Sequence, residues 1–310
     1  MFLTVTPNSA LDRVFFIDRF IPGSVLRTRK LVESVGGKGM DASVVLRAMK
    51  QETLALGFVA GDSGKTLVRL LEGYGVQTDL VWVDGETRIA YVIVEMQEHR
   101  HTHLVVGGFS ITTHAYDELI EHYHRWLPHA QWVLTGGSIP EGFPSEGYQR
   151  LASIAKENHV PILIDCSGIF ARAAALAWPT ILKMNQSEFF ETFGESLNTH
   201  EGLLKAAQAV KDIYHLDNLV ITRGEEGILA LTEQGAYQAT APRQIAVNAA
   251  GAGDAASAAL AWRLSQGDPW PEALRWAAAT GAAVVLTPGT ADCRLEDIHQ
   301  IYAQSEVQCL

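Results

Sequence analysis

The stretch NAAGAGDAASAALAW, residues 248–262, sets two glycines and a carboxylate at the mouth of an alanine-rich run of helical character. Gly251, Ala252 and Gly253 carry almost no side chain, so the first backbone N–H groups of the coming helix stand unobstructed, as an incoming anion requires. Asp254 follows at once. Taken alone it reads equally well as a helix N-cap, and the rest of the chain has to decide between a cap and a chemical group.

Outward from this point the pattern alternates. Short apolar runs bounded by Gly, Pro, Asn or Asp at 2–6, 54–58, 132–135, 162–165, 181–183 and 219–222 read as buried strands. Longer stretches at 41–50, 66–74, 116–126, 145–158, 200–213 and 270–286 have helical periodicity. The alternation predicts an α/β fold, a mostly parallel central sheet flanked by helices, with ligands at the carboxyl ends of the strands. Residues 13–35 and 87–106 break the rhythm. TRIAYVIVE (87–95) and HTHLVV (101–106) predict a hairpin, and the two segments together predict a small β-sheet lid on a single unit spanning 1–310.

With 47% hydrophobic residues in 310, a substantial core is expected. A formal charge of −11 argues against nucleic acid or an anionic membrane as partner. A phosphate-bearing small molecule remains compatible, since a local nest of N–H groups can hold it. Cys166, Cys293 and Cys309 are widely spaced and form no C-x-x-C pair, so neither a disulfide framework nor a zinc site is expected. MFLTVTPNSALDRV has no basic segment ahead of a long apolar run, which points to a cytoplasmic protein.

Some motifs mislead. GDSGKT (61–66) resembles a phosphate-binding P-loop, but the position that should hold its first glycine is Val59. GAGDAA fits the dinucleotide pattern G-x-G-x-x-A, yet the chain after it reads as helices and supplies no second βαβ unit. His99, His101 and His103 would share a strand face, without a cysteine or carboxylate set to complete a metal site. Ser138 in TGGSIPEG lacks the G-x-S-x-G elbow of a hydrolase.

Two glycine-rich helix starts remain, GGKG at 36–39 with a lysine and GAGD at 251–254 with a carboxylate. Transfer of a phosphoryl group to a hydroxyl needs a base for the hydroxyl proton and donors for the charge on phosphate. Asp254 is the candidate base, and the N–H groups of Ala252, Gly253 and Asp254 are the candidate anion hole.

Over nearly its full length the chain resembles the ribokinase-like (phosphofructokinase B) carbohydrate kinases, especially the branch of 1-phosphofructokinase and tagatose-6-phosphate kinase. The resemblance rests on NSALDR (8–13), GGKGMDAS (36–43), ETRI (86–89), GGSIPEG (136–142), KMNQSE (183–188), ITRGEEG (221–227) and GAGD (251–254). It implies a ribokinase-like α/β body with a β-sheet lid, ATP and Mg2+ as cosubstrate and cofactor, a sugar or sugar phosphate as acceptor, and a homodimer through the lid. The lid's apolar Val14, Phe15, Phe16, Ile93 and Val94 agree with such pairing.

By the same resemblance, Asp12 hydrogen-bonds sugar hydroxyls and Gly37 brings backbone close to the sugar. Lys38, Arg88 and Ser138 hold the acceptor's own phosphate, which suits Lys and Arg as permanent donors. Asn185 and Glu188 act on magnesium through water, and Lys183, Thr222, Gly224 and Gly227 belong to the nucleotide side. Asp41 stands on the substrate-binding side as well and departs from the family's G-G-K-G-x-N, replacing an amide that donates and accepts with a group that, ionised, only accepts. Ala90, Tyr91 and Val92 follow Ile89 where a phosphate-binding lysine is usual, and Asn248 and Ala249 precede the GAGD segment in place of the common Asp or Ser and Thr. Fructose 1-phosphate or tagatose 6-phosphate is the expected acceptor. The departures leave open an unphosphorylated sugar, polyol or nucleoside, and a non-catalytic sugar-binding protein on the same scaffold.

Overall fold

The apolar runs become the centre of one large sheet in this computed structural model, which describes residues 1–98, 100–194 and 200–310. In chain order, β1 (Phe2–Thr6) leads into β2 (Ala10–Ile17) and β3 (Lys30–Gly36), and α1 (Lys38–Ala48) returns the chain to β4 (Thr53–Val59). After α2 (Gly61–Gly73) come the short β5 (Gln77–Thr78) and β6 (Val81–Trp82), then β7 (Arg88–Glu95) and β8 (Arg100–Val105). Next are α3 (Thr113–Trp126), β9 (Trp132–Gly136), α4 (Gly147–Glu157), β10 (Ile162–Asp165), α5 (Gly168–Ala175), β11 (Ile181–Asn185) and α6 (Gln186–Phe193). The chain finishes with α7 (His200–Tyr214), β12 (Leu219–Thr222), β13 (Ile228–Thr232), β14 (Gly235–Thr240), α8 (Ala252–Ser265), α9 (Trp270–Val284), α10 (Leu295–Tyr302) and β15 (Glu306–Cys309).

The large sheet runs β15-β14-β13-β12-β11-β10-β9-β1-β4-β5, with β6 also beside β4. From β12 to β5 the pairing is parallel, and β13, β14 and β15 add an antiparallel edge. Successive strand residues feed opposite cores: Val133 faces one and Trp132 and Leu134 the other, and Ile162 and Ile164 alternate with Leu163 in the same way. One core is closed by residues of α3, α4 and α7 such as Leu119, Leu151 and Leu203, the other by α1, α8, α9 and α10. The alanine run of α8 is buried from Ala255 to Ala261, and its small side chains let α9 approach closely. A Cβ on Gly281 of α9 would stand 3.0 Å from the Ala252 carbonyl oxygen.

The interrupting segments pair in a separate sheet, β3-β2-β7-β8, with β2 parallel to β7 and the β7–β8 hairpin in register from Ala90 opposite Val105 to Glu95 opposite Arg100. Its strands begin at Ala10, three residues before the expected start, because Asp12 and its neighbours already pair with β3 and β7. Val14, Phe16, Val92 and Val94 form its buried cluster. His101 and His103 lie opposite Val94 and Val92 on β8, and His99 lies outside the described residues. Among the described residues no helix is long and apolar enough to cross a membrane, and the three cysteines are free.

Helix starts differ most from expectation. α2 begins at Gly61, ahead of residue 66, because Glu86 reaches across from another segment: its carboxylate accepts the Asp62 and Ser63 N–H groups at 3.2 and 3.1 Å. The P-loop lookalike is therefore a helix N-terminus occupied by the protein's own carboxylate. α1 begins at Lys38, directly after Gly37, so Asp41 falls inside the first turn rather than opening the helix.

Candidate active site

The parallel strands end on one edge of the sheet, and polar residues stand at or just beyond those ends: Asn8 after β1, Ser138 after β9, Asp165 closing β10, Asn185 closing β11 and Thr222 closing β12. Register sets Gly136 beside Asp165, Asp165 beside Lys183, and Asn185 beside Thr222. This row faces the N-termini of α1 and α8, where helix dipoles favour negative charge.

Asp165 organises one side. It is buried and accepts from the Lys38 ammonium at 2.7 Å and the Lys183 ammonium at 2.5 Å. Lys183 also donates to the Gly253 carbonyl at 3.1 Å, and Lys38 to Glu188 at 3.3 Å. Burial alone would raise the Asp165 carboxyl, but Lys183 and Lys38 overcome it and hold the group below its ordinary value. Burial would likewise lower Lys38; Asp165, Glu188 and Asp254 outweigh it and push the ammonium up.

These residues border a cleft of about 460 Å³. Thr222, Gly224 and Gly227 line it from the β12–β13 turn, the 241–249 segment from one side, and Ala277, Ala278, Gly281 and Ala282 of α9 from another. The α9 residues are small, which leaves an apolar wall with room beside it. At the mouth of α8, Gly251 takes φ 83°, and a Cβ there would lie 2.5 Å from the Ala291 nitrogen, so only glycine fits this turn. No side chain caps the helix. Asp254 is half-buried, and its carboxyl is pushed up to about 7 by burial first, then by the Asp165 charge, against the pull of Lys183 and Lys38.

Asn185 and Glu188 are bound to each other in a capping box. The Asn185 side-chain oxygen accepts from the Glu188 N–H at 2.9 Å, and Glu188 accepts from the Asn185 N–H at 2.8 Å. Among the described residues no group of His, Cys, Asp or Glu could hold a metal directly. The pair fits a cation that keeps its waters, because Asn185 stays exposed at the rim of the cleft while both side chains remain fixed.

The other side is built from the small sheet and α1. Asp12 of β2 is buried and accepts from the Thr290 hydroxyl at 2.7 Å. Burial pushes its carboxyl up to about 6, opposed by the Thr290 hydrogen bond and by Arg88. Gly37 turns the chain into α1 at φ 108°, with a hypothetical Cβ only 2.7 Å from the Thr6 methyl. Asp41 is buried, and its Oδ1 has no hydrogen-bond partner. Burial, then the nearby Asp254 and Asp12 charges, raise this carboxyl well above its ordinary range. Arg88 donates to the Asn8 carbonyl from two guanidinium nitrogens at 3.4 Å, and the Asn8 amide donates to the Ser138 hydroxyl at 3.1 Å.

Arg88 and Ser138 are thus linked through Asn8, whereas the Lys38 ammonium is held by Asp165 and Glu188 beside the first cleft. Lys38 still passes the Ser138 loop, since a Cβ on Gly137 would lie 3.6 Å from its Cγ, but its ammonium is engaged by Asp165 and Glu188. Two residues missing from the sequence reading hold the site together. Asp165 was legible only as a carboxylate closing an apolar run; Thr290 meets Asp12 across 278 positions of chain, and no local pattern marks it.

A polar crevice at the strand ends, with an uncapped helix mouth carrying a carboxylate and lysines opposite, is the geometry of an α/β phosphoryl-transfer enzyme. The chain belongs to the pfkB family of carbohydrate kinases: that family's pattern matches residues 8–298. It is a kinase and hence a phosphotransferase with an alcohol group as acceptor, and membership implies use of ATP. The chain is similar to D-tagatose-1-phosphate kinase of Bacillus licheniformis, 30% identical over 293 residues that cover 94% of this chain and 95% of that one. It is also similar to ATP-dependent 6-phosphofructokinase isozyme 2 of Mycobacterium tuberculosis, 28% identical over 300 residues, 97% of this chain and 88% of the relative. Among solved structures, a possible 1-phosphofructokinase of Thermotoga maritima superposes with a TM-score of 0.91 at 25% identity, covering 100% of this chain and 99% of that one.

Proposed function

We propose that residues 1–310 act as one ATP-dependent kinase of a ketohexose monophosphate, with Asp254 as general base and the four-stranded sheet as lid. The observation that carries this reading is the position of Asp254. Its charge is felt by Lys38 on the Asp165 side and by Asp41 on the Asp12 side, so it stands at the boundary between the two halves of the site. The similar proteins named as kinases of tagatose 1-phosphate and as phosphofructokinases favour a phosphorylated ketohexose as acceptor.

In this mechanism Asp254 takes the proton of the attacking hydroxyl as the new O–P bond forms and the bond to ADP breaks. The N–H groups of Ala252, Gly253 and Asp254, at the positive end of α8, receive the charge that collects on the transferring group. Lys38 and Lys183 stay fixed by Asp165 and present a preset positive field to the nucleotide phosphates. Thr222, Gly224, Gly227 and the small residues of α9 would hold the nucleotide. Asn185 and Glu188 would meet magnesium through its waters, and the metal would supply charge neutralisation for the nucleotide phosphates. Asp12 orients the acceptor hydroxyls, Gly37 lets them approach backbone, and Arg88 with Ser138 receives the acceptor phosphate. The reading places the enzyme in the cytoplasm as a homodimer paired through the small sheets, which leave Leu31, Leu104 and Val105 about half exposed.

A second reading, an unphosphorylated sugar or polyol as acceptor, is favoured by Lys38 being engaged elsewhere. ADP release with ATP and magnesium, measured across phosphorylated and unphosphorylated acceptors with Asp254→Asn as blank, separates the two. Turnover confined to ketohexose monophosphates is expected; turnover with free sugars alone would replace the first reading by the second. Sugar binding without any ADP release would support a non-catalytic protein.

A further inference from the structure

Asp41 is a buried carboxyl that nothing in the mechanism so far uses. Its Oδ1 is the one buried carboxylate oxygen among the described residues without a hydrogen-bond partner, and the group lies in the first turn of α1, one turn past the Lys38 that borders the cleft. A buried polar atom left unsatisfied costs about 1–3 kcal/mol, and this one lies within the electrostatic reach of Asp12, Arg88 and Asp254, so a ligand between them would complete it. The groups that face it come from every side: Asp12 on β2, Arg88 on β7, Tyr74 after α2 and Asp254 on α8, with the Gly37 N–H on its own turn. Two of these are carboxylates and one is a guanidinium already shared with Asp12.

An ionised Asp41 would therefore be a third anion in a dry pocket, pressed against an acceptor that brings further negative charge. The family's usual amide at this position donates and accepts while uncharged. A carboxylic acid that keeps its proton can do both as well.

We propose that Asp41 meets the acceptor as an uncharged carboxylic acid and donates its proton in a hydrogen bond to an acceptor oxygen, a sugar hydroxyl on the kinase reading, so that the part of the acceptor facing α1 presents a hydrogen-bond acceptor and not an ammonium group. This rests on the kinase reading only for the identity of the pocket. The charge state follows from burial and from the two carboxylates alongside, and it is present before any ligand binds. Asp41 thereby contributes to acceptor selection: a cationic acceptor would require it to ionise, against burial and the carboxylates alongside.

The first test needs neither acceptor nor ATP. Carboxyl-carbon NMR of the full chain labelled at aspartate, with Asp41→Asn identifying the resonance, follows the titration directly. A signal that remains protonated at about pH 7 is expected, and one already ionised there overturns the proposal. This result stands whatever the protein phosphorylates.

The second test uses the acceptor that gives fastest ADP release. If Asp41 is uncharged, Asp41→Asn exchanges one neutral group for another, and the acid limb of the kcat profile set by Asp254 stays where it is. If Asp41 carries a charge, the substitution removes an anion near Asp254 and moves that limb down by about one pH unit or more, which overturns the proposal. Asp41→Leu keeps approximate shape and loses the donor, so acceptor KM should rise about tenfold with ATP KM unchanged. An unaltered acceptor KM in that variant would also overturn it. Failure of the wild-type chain to release ADP with any acceptor would sink the kinase reading, and the NMR titration alone would then decide the state of Asp41.

Discussion

On one side of the cleft a buried carboxylate, Asp165, sits between two ammonium groups at 2.7 and 2.5 Å; on the other, Asp12 and Asp41 share the single guanidinium of Arg88, and the Asp41 oxygen Oδ1 has no partner. The same residue type is driven in opposite directions. Asp165 is held down by its lysines, whereas Asp12 is pushed up to about 6 and Asp41 well above its usual range. The difference teaches how the two ligands are met. The Asp165 side, assigned to the nucleotide in the proposed mechanism, is charge-balanced within the protein and would be rigid before ATP arrives. In the proposed mechanism the other side is the acceptor side, where the open hydrogen bond of Asp41 would be completed by the sugar and specificity would reside.

The most severe way to break this arrangement is at the boundary. Asp254→Asn should lower kcat about 10²- to 10⁴-fold with the fold retained, checked by turnover alongside circular dichroism; an unchanged kcat would remove Asp254 from the mechanism. Since Asp254 must be ionised and is held at about 7, kcat/KM in the parent should rise as pH rises through about 7 and flatten above it. A profile already flat at pH 5.5, roughly one and a half units lower, would contradict that assignment.

Breaking the balanced side costs stability before it costs chemistry. Asp165→Asn leaves Lys38 and Lys183 facing each other without their anion, and should destabilise the chain by about 3–5 kcal/mol in urea unfolding. Double substitution with Lys183→Met should recover part of that loss, because the uncompensated buried charge disappears. No recovery would mean that the ion pair does not organise this side.

On the acceptor side the effect should fall on KM. Arg88→Ala is expected to raise KM for a phosphorylated acceptor by about 10- to 100-fold while leaving ATP KM nearly unchanged. An equal loss with unphosphorylated acceptors would show that Arg88 does not read the phosphate. The burial of Asp12 also has a stability signature. Asp12 in the folded chain titrates at about 6, above the ordinary 3.8, so the folded state binds the proton more tightly than the unfolded state. Its stabilising contribution is complete below about 3.8 and is lost as pH rises through about 6. Asp12→Asn, which can still accept from Thr290, should therefore raise the thermal midpoint at about pH 8 relative to the parent and not at about pH 4. The smallest change is Asn185→Ala, which loses the capping box and should cost about 1 kcal/mol of stability, with weaker magnesium dependence as the accompanying readout.

Several features were legible in the residues themselves. The strands of the parallel sheet follow from apolar runs bounded by turn residues, because a strand buried on both faces has no polar position to hide. The two glycine-rich helix starts and the carboxylate after the second were likewise local. The start of α2 is not legible locally because Glu86, which caps it from another segment, has no fixed sequence spacing relative to it. Strands β13 to β15 were not anticipated: they make an antiparallel edge whose partners depend on where the chain returns.

The sequence by itself determined the alternation of strand and helix, the anion-receptive mouths at Gly37 and Gly251, and the family to which the motifs belong, since each is encoded in short-range periodicity, side-chain size and backbone freedom. Tertiary structure alone decided which carboxylates are balanced and which are not. Asp165 gains Lys38 from 127 positions away, Asp12 gains Thr290 from 278, and Asp41 gains no partner for one oxygen at all. Charge state in a dry pocket depends on distance through space and on removal of water, and neither quantity is written along the chain.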